Sequence, residues 1–452
     1  MMSALMLSDI AKATGGRLSG EARVENVSTD SRKIAAGDLF VALSGDNFDG
    51  NNFVAEVAGA GAAAALVSRS SEANIPQLLV DDTRLALGLV ARINRRQFQG
   101  PLIALTGSAG KTTSKEMIAA ILGECGAVLA TAGNLNNEIG VPLTLLRLEP
   151  RHQYAVVEMG ASHADDIRYL TQFAEPTIAL VTNAMPVHIE GFGNLQTIAD
   201  TKGQVFESVA DGGAAIINLD DTFAAQWRGQ AGEAEITTFS KQNPAADFYA
   251  REILLREDGA TTFVLCTPVG EVAIKLSLLG EHNVANAVAA SAAASVAGAG
   301  LDSIRAGLEK LRPTKGRMQY HRLNNRQLLI DDSYNANPGA VRAAIDLLAN
   351  FPGTRCLVLG TMGELGDEAR AQHVDVAAYA KQHGIERLLL VGEFATAAAQ
   401  VFGEAYADMQ SLMNAVGSGI DADVILVKGS RSAAMERVVD ALLENNNMRG
   451  ER

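Results

Sequence analysis

The sequence of 452 residues is poor in cysteine and in positive charge, and each shortage excludes a class of protein. Its three cysteines, Cys125, Cys266 and Cys356, lie far apart and show no CxxC pair, which argues against a disulfide framework or a zinc site and suits a reducing compartment. Lys plus Arg number 38 against 52 for Asp plus Glu, a net charge of −14. Nucleic acid is therefore excluded as the main partner, whereas a small phosphorylated ligand at a local basic patch is not.

Targeting and membrane signals are also lacking. The N-terminus, MMSALMLSDIAKATGG, has neither a basic segment nor a long apolar one, so no signal peptide is predicted. The longest uncharged stretch, residues 283–301, is long enough to span a bilayer but consists mostly of Ala, Gly and Ser, which favours a buried helix. We expect a cytoplasmic protein that does not insert stably into a membrane.

The length predicts about three domains at roughly 150 residues each. With 48% hydrophobic and 20% charged residues, the composition is that of a globular protein. We expect an α/β protein with a small first domain over residues 1–83, a central domain over 84–313 and a third domain over 314–452. Residues 81–84 are interpreted as a polar connector, with Thr83 capping a helix that begins near Arg84.

The central and third domains share a pattern of short apolar runs separated by helical segments. This pattern is typical of a parallel sheet covered on both faces, a P-loop-type sheet in the centre and a smaller Rossmann-like one after it. The predicted central strands are residues 102–105, 154–158, 178–182 and 214–219, and those of the third domain are 328–330, 356–359, 388–391 and 424–427. Two such domains side by side place two ligand-binding edges across a cleft.

The sharpest local signal is the run Thr106-Gly-Ser-Ala-Gly-Lys-Thr-Thr113, which follows a predicted strand and precedes a predicted helix. A phosphate-binding loop needs glycines, a helix N-terminus, a lysine for the β- and γ-phosphates and a hydroxyl for Mg²⁺. Here only two residues separate the glycines instead of the usual four, so the loop is a shortened variant. The alternative is a glycine-rich turn with a chance lysine. The candidate nucleotide-binding residues are Gly107, Ser108, Ala109, Gly110, Lys111, Thr112 and Thr113.

Three further residues are candidates for chemistry, each with an ordinary alternative. Glu158 ends a predicted strand, where it could bind Mg²⁺ or be a solvated acid. His188 follows another strand and could be a metal ligand, an orienting base, or simply a packed or a surface residue. Lys202 taken alone is most simply a surface lysine.

The remaining motifs are typical of nucleotide and anion contacts. Asn283 and Asn286 are three residues apart and share a helical face, where Asn283 could read an adenine edge or cap the helix. Arg317 lies at the second domain junction. Asp332 ends the first strand of the third domain, a common position for an acid that binds ribose hydroxyls. The run from Lys428 to Arg431 follows the last strand and indicates an anion site.

In this order, the motifs resemble those of the Mur ligase family, the ATP-dependent amide-forming enzymes of peptidoglycan synthesis, over essentially the whole chain. Residues 28–32 (STDSR) and 37–43 (GDLFVAL) resemble the uridine-binding domain of that family. Residues 131–140 (TAGNLNNEIG) resemble the branch that adds D-alanyl-D-alanine. The Asp-Asn-Pro-Arg motif of the diaminopimelate-adding branch is absent, and Val391-Gly-Glu-Phe394 stands near its expected place.

The resemblance implies roles for the candidate residues. Catalysis would involve Lys111, Glu158, His188 and Lys202, with Lys202 carbamylated by CO₂. Two Mg²⁺ ions are expected, with Thr112, Glu158 and His188 as metal ligands. Asn283, Arg317 and Asp332 would contact ATP. The UDP-sugar would be held by Ser31, Arg32, Asn134 and Asn137, and the peptide or dipeptide end by Lys428, Ser430 and Arg431.

The resemblance also implies a reaction. ATP would activate the terminal carboxylate of UDP-MurNAc-tripeptide as an acyl phosphate, and the amine of D-alanyl-D-alanine would then displace phosphate. We expect a monomer acting on these three small molecules. The alternatives are another step of the same family, a folate polyglutamate ligase, and a P-loop nucleotide switch. A GTPase would carry an Asn-Lys-x-Asp guanine reader, and the nearest run, Asn218-Leu-Asp-Asp221, lacks the lysine.

Overall fold

The computed structural model describes residues 4–45, 48–186, 189–256, 260–278, 280–312, 316–323, 327–363 and 365–450, with the backbone alone for 189–190 and 445–450. It has three sheets of five or six strands, in chain order, each covered by helices. The expected α/β class is therefore confirmed. The boundary that we propose between the central and third domains, at residues 313 and 314, lies outside the described residues.

The first sheet is mixed and five-stranded. Its strands, in spatial order, are Arg17–Leu18, Gln77–Leu79, Ala64–Val67, Asp38–Val41 and Asn26–Ser28. Helices Leu7–Thr14 and Val54–Gly59, and single 3₁₀ turns at Ser31–Lys33 and Gly50–Phe53, surround it. Two short antiparallel pairs complete this part, Leu5–Met6 with Arg23–Val24 and Ser44–Gly45 with Phe48–Asp49.

A helix over Thr83–Gln97 joins the first sheet to the central one. The prediction that Thr83 caps this helix is wrong, because the Asp82 carboxylate accepts hydrogen bonds from the backbone N–H groups of Arg84 and Leu85. The helix packs on Leu7–Thr14 on one side and on Asp166–Ala174 on the other. The first and central sheets, with their helices, therefore share one continuous apolar core. The boundary that we propose at residue 83 falls where this shared helix begins.

The central sheet has six parallel strands with helices on both faces. In spatial order the strands are Val128–Ala130, Tyr154–Glu158, Leu102–Thr106, Ile178–Val181, Ala214–Asn218 and Glu235–Phe239. Successive side chains of a strand point to opposite faces. Leu102 and Ala104 therefore pack in one apolar cluster, and Ile103 and Leu105 pack in another.

Helices cover the two faces unequally. One face carries the helix that follows the phosphate loop, Lys111–Gly123, which we call the loop helix, together with Glu281–Val296 and Leu301–Lys310. The other face carries helices that pack with Trp227 and Phe173 in the shared core. These helices are Gly140–Leu145, Asp166–Ala174, Leu195–Glu207 and Ala224–Gln230, and a short helix spans Ile189–Phe192.

The helix Glu281–Val296 contains most of the long uncharged stretch of the sequence and is buried, as predicted. Its alanine side chains are small, so it can approach both the loop helix and the sheet closely. We call it the alanine helix. Within the described ranges, no helix is both long and apolar enough to cross a membrane.

An antiparallel three-stranded sheet packs beside the alanine helix. Its strands are Tyr249–Leu255, Thr261–Thr267 and Gly270–Leu276. The sequence analysis did not predict it.

The third sheet has six strands. In spatial order they are Gln319–Leu323, Gln327–Asp332, Val424–Lys428, Arg355–Leu359, Arg387–Val391 and Glu404–Tyr406, and only the first is antiparallel to its neighbour. The helices are Pro338–Ala349, Ala369–Gln382, Ala395–Ala399, Met409–Gly417 and Glu436–Gly450, with 3₁₀ turns at Gly366–Glu368 and Arg431–Ala433. All four strands predicted here are present.

A first prediction concerns the packing of the loop helix. Gly307 lies against it so closely that a Cβ atom would come within 2.5 Å of the Ile121 Cα and 2.6 Å of its backbone nitrogen. Because backbone cannot move aside as a side chain can, we expect Gly307→Ala to lower the free energy of unfolding by about 1–3 kcal/mol. Denaturant unfolding measures this. Gly123→Ala is the matched control, since a Cβ there meets nothing within 4 Å and should leave stability unchanged or raised by about 0.4–1 kcal/mol.

Candidate active site

A polar cleft of about 1170 Å³ lies between the carboxyl ends of the central strands and those of the third sheet. Ligands bind at this edge in open α/β sheets. The cleft brings together most of the residues that the sequence singled out. Lining it are Ser108, Ala109, Gly110, Lys111, Thr112, Thr113, Asn134, Asn137, Glu158, Asn283, Arg317, Asp332 and Lys428.

The two glycines of the phosphate loop are required by its shape. Gly107 has a φ of +154° and Gly110 a φ of +79°, values that residues with a Cβ rarely adopt. A Cβ at Gly107 would lie 1.9 Å from the Thr182 hydroxyl, and one at Gly110 would lie 2.3 Å from the Asn286 Oδ1. The loop therefore fits closely between the next strand end and the alanine helix.

The loop ends at the N-terminus of the loop helix, which begins at Lys111. The first amides of a helix have no partner within it and carry a partial positive charge, so they attract phosphate. The Lys111 ammonium donates a hydrogen bond to the Gly107 carbonyl at 2.6 Å, so its side chain folds over the loop. This arrangement places the lysine and the helix N-terminus on the same side of the cleft.

Glu158 is buried at the end of its strand, with its two carboxylate oxygens in different environments. Its Oε1 accepts hydrogen bonds from the Thr112 hydroxyl at 3.2 Å and from the Asn136 amide at 2.8 Å. Its Oε2 is buried and has no hydrogen-bond partner among the described residues. A buried carboxylate oxygen without a partner is costly unless a cation binds it. Glu158 and Thr112 therefore fit a Mg²⁺ ion, which prefers oxygen ligands.

The third expected metal ligand, His188, lies outside the described residues. Within the described part of the chain, no group of three or more His, Cys, Asp or Glu side chains is arranged to hold a metal ion. Of the three expected metal ligands, the described residues thus bring together the Glu158 carboxylate and the Thr112 hydroxyl.

Lys202 is not the surface lysine that its sequence context alone suggests. It lies on the helix Leu195–Glu207, and its side chain is 1% exposed, with its ammonium 5.9 Å from the centre of the Phe192 ring. Burial, and secondarily the positive charge of Lys111, hold the pKa of Lys202 well below its ordinary value. The amine is therefore far more easily neutral, and nucleophilic, than an exposed lysine.

The alanine helix contributes a polar patch to the cleft at its N-terminal end. Asn283 and Asn286 share one face, as predicted, and the Asn286 amide donates to the Asn283 Oδ1 at 3.3 Å. His282 is exposed and lines the cleft beside them.

The third domain presents a buried ion pair and a stacked arginine. Lys428 pairs with Asp332 and also donates to the Asn335 carbonyl at 2.9 Å. The Arg317 guanidinium lies 4.1 Å from the centre of the Tyr334 ring, a cation–π distance. The structure therefore brings Asp332 and Lys428 together, although the resemblance implies different ligands for them.

Of the predicted site residues that the structure describes, six are not among those lining the cleft: Ser31, Arg32, Gly107, Lys202, Ser430 and Arg431. Ser430 and Arg431 lie just beyond Lys428, where the Ser430 hydroxyl is 3.1 Å from that of Ser432 and Arg431 pairs with Glu436. Ser31 and Arg32 lie on the first sheet's part of the chain, in the 3₁₀ turn Ser31–Lys33. Arg32 is exposed there and forms an ion pair with Asp30, which lowers the pKa of Asp30 to about 2.

Several polar residues at the cleft were missed as functional candidates. Asn136 contacts Glu158, Asn183 contacts the phosphate loop, and Tyr334 stacks on Arg317. Buried Lys115 donates to the Thr131 carbonyl at 2.8 Å. The Thr131 hydroxyl accepts from the backbone N–H of Glu158, so Lys115 supports a residue that contacts Glu158. Two of these residues could have been found from their positions in the sequence, since Asn183 directly follows a strand end and Asn136 lies in an asparagine-rich run.

The cleft and its loop define an α/β P-loop-type enzyme with its nucleotide site between two domains. Three family descriptions match the chain: "Mur ligase family, catalytic domain" over residues 23–95, "Mur ligase middle domain" over 105–294, and "Mur ligase, glutamate ligase domain" over 316–431. The chain belongs to the Mur ligase family, as the resemblance predicted.

Individual relatives match over nearly full length. The UDP-N-acetylmuramoyl-tripeptide–D-alanyl-D-alanine ligase of Escherichia coli K12 is 46% identical, over 98% of this chain and 99% of that protein. A crystal structure of MurF from Acinetobacter baumannii superposes with a TM-score of 0.91 at 37% identity, over 98% of this chain and 99% of that one. The MurF ligase of Thermotoga maritima in complex with ADP has a TM-score of 0.83 at 26% identity, over 94% and 99%.

A second prediction follows from the buried Lys202. The pKa of Lys202 is lower in the folded chain than its ordinary value of 10.5, which it has in the unfolded chain. At pH values between the two, the unfolded chain binds more protons at this position. The contribution of Lys202 to the free energy of unfolding therefore rises with pH across that range. We expect Lys202→Met to raise the free energy of unfolding at pH 7 by about 1–3 kcal/mol, with a gain that shrinks toward pH 10. Urea unfolding in CO₂-free buffer measures it.

The matched control is Lys12→Met, since Lys12 is exposed on the first helix, where it pairs with exposed Asp9. That change should alter stability by less than about 0.5 kcal/mol at every pH. A gain for Lys202→Met that stays constant from pH 7 to pH 10 would contradict the argument.

Proposed function

We propose that this chain joins D-alanyl-D-alanine to UDP-MurNAc-tripeptide at the expense of ATP, giving UDP-MurNAc-pentapeptide, ADP and phosphate. It is an ATP-dependent peptide ligase of peptidoglycan precursor synthesis. The observation that carries the proposal is that the phosphate loop, Glu158 with its unpaired oxygen and the third-domain edge open into one cleft. The relatives with this name match over almost the entire chain.

The physical difficulty of the reaction is that a carboxylate and a triphosphate repel each other. A carboxylate oxygen must attack the γ-phosphorus while the bond to ADP breaks, and the amine must then attack the acyl carbon while phosphate leaves and a proton is lost. Lys111 and the first amides of the loop helix oppose the phosphate charge on one side. Glu158 and Thr112, with His188 by resemblance, hold Mg²⁺, which when bound neutralises charge between the two reactants.

The remaining residues position the nucleotide and the acceptor. In our proposal Asn283 on the alanine helix contacts adenine, and Arg317 and Asp332 contact ATP from the third domain. All three residues line the cleft. Ser31, Arg32, Asn134 and Asn137 hold the UDP-sugar in our proposal. Lys428, Ser430 and Arg431 hold the peptide or dipeptide end. A cleft closed by two domains excludes water, which would otherwise hydrolyse an acyl phosphate.

Lys202 is proposed to carry a carbamate. A neutral amine attacks CO₂ and loses a proton, so burial that lowers the pKa of Lys202 favours this reaction. By the family resemblance, the product is an anion that would support the metal site. We propose that the enzyme acts as a monomer in the cytoplasm, where its thiols stay reduced.

The third prediction tests the function itself. Purified protein with MgATP, UDP-MurNAc-tripeptide and D-alanyl-D-alanine should release phosphate only when all three are present, because the acyl phosphate needs the acceptor and its turnover needs the amine. Phosphate release is measured while each component is omitted in turn. Turnover without the sugar tripeptide would indicate a nucleotide switch instead. Preference for a shorter peptide and a single amino acid would assign the chain to another branch of the family.

The fourth prediction concerns Glu158. Glu158→Gln keeps an oxygen for Thr112 and Asn136 but replaces the unpaired Oε2 by a neutral amide, so it should lower kcat at least 100-fold and weaken Mn²⁺ binding at least tenfold. Steady-state kinetics and electron paramagnetic resonance titration with Mn²⁺ measure the two effects.

Glu233→Gln serves as the control, because Glu233 is an exposed carboxylate that is not among the residues lining the cleft. It should change both values by less than threefold. Wild-type Mn²⁺ affinity in Glu158→Gln would exclude Glu158 as a metal ligand.

A further inference from the structure

A short segment after the strand Ile178–Val181 lies directly against the phosphate loop. We call this segment, residues Thr182–Met185, the bracing segment. The Ser108 N–H donates to the Asn183 carbonyl at 3.0 Å. The Ser108 hydroxyl donates to the Met185 carbonyl at 2.9 Å and accepts from the Met185 N–H at 2.8 Å. The first residue between the two glycines is therefore bound to this segment at three points.

The side chain of Asn183 binds the second residue between the glycines. Its Oδ1 accepts from the Ala109 N–H at 2.9 Å, and its Nδ2 donates to the Ala109 carbonyl at 3.2 Å. The Thr182 hydroxyl donates to the same carbonyl at 2.7 Å. Asn183 thus pairs with both backbone groups of Ala109, as a neighbouring strand would, and sets its conformation from outside the loop.

The bracing segment is itself held on its other side. The Asn218 amide donates to the Thr182 carbonyl at 2.8 Å. The Ala184 N–H donates to the Asp221 carboxylate, also at 2.8 Å. Both partners come from the end of the strand Ala214–Asn218 and the turn after it. The loop is therefore connected through the bracing segment to a third strand end, which gives it a rigid support.

The shortened loop depends on such a support. A loop of four residues between its glycines can close its amides around a phosphate. Here only Ser108 and Ala109 stand between the glycines, and both of their N–H groups are already donated to Asn183. Phosphate contact then falls to Lys111 and to the first amides of the loop helix.

We infer that Asn183 is a positioning residue for nucleotide binding, which holds the shortened loop in the shape that presents Lys111 and the helix N-terminus to the phosphates. Its own amide stays on Ala109 and does not contact the nucleotide. The inference rests on the proposed ATP site and deepens it. Loss of the Asn183 side chain frees the loop, and each binding event must then order it again.

The fifth prediction tests Asn183→Ala by calorimetric titration with ADP. We expect the Kd for ADP to rise at least tenfold. In the ligase assay, KM for ATP should rise by a similar factor, while KM for UDP-MurNAc-tripeptide changes less than twofold. Thr182→Val removes the hydroxyl that donates to the Ala109 carbonyl and, at 3.4 Å, to the Thr106 carbonyl. It should raise the Kd three- to tenfold, and it tests the support of the loop if Asn183→Ala does not fold.

Asn94→Ala is the matched control. Asn94 is buried, and like that of Asn183 its side-chain amide binds backbone: it donates to the carbonyls of Leu145 and Leu148, away from the cleft. It should lower Tm but leave the Kd for ADP within twofold of wild type. Wild-type ADP affinity in a folded Asn183→Ala or Thr182→Val would overturn the inference, as would an equal loss of affinity for the sugar tripeptide. Wild-type protein that binds no ADP would instead refute the proposed function.

Discussion

The pairing register of three parallel strands is the constraint on which the rest of the site depends. Leu105 lies beside Glu158 on one side and beside Leu180 on the other, and Thr106 pairs with Val181. The next residue along, Gly107, therefore meets Thr182, and the loop begins between the carboxylate and the bracing segment. A slip of one residue would turn every side chain of the strand to the opposite face, so both apolar clusters oppose it.

The site retains features that a purely structural protein would avoid. Glu158 keeps a buried oxygen without a described partner, and Lys202 keeps an amine among apolar groups. Both arrangements disfavour the folded state taken alone, because buried charge loses its hydration. The surrounding core offsets this loss, since the central sheet is covered by apolar clusters on both faces. Such local conflicts are common at functional sites.

Much of the architecture could be predicted because its signals are local. The strand Tyr154–Glu158 was predicted with the bounds that the structure has, since a short apolar run between polar turns is a strong signal. The strands Tyr249–Leu255 and Gly270–Leu276 were missed because exposed and charged residues interrupt them. The cap at Asp82 was assigned one residue too late, an error typical of element boundaries.

By itself, the sequence determined the α/β class, the family and the position of the phosphate loop, because glycine spacing, strand runs and motif order are properties of the linear chain. Only the tertiary structure decided which side chains meet. It buried Lys202, paired Lys428 with Asp332, gave one Glu158 oxygen no partner among the described residues and placed Asn183 on the loop. The physical reason is that burial and hydrogen bonding depend on groups far apart in the chain, and only folding brings those groups within contact distance.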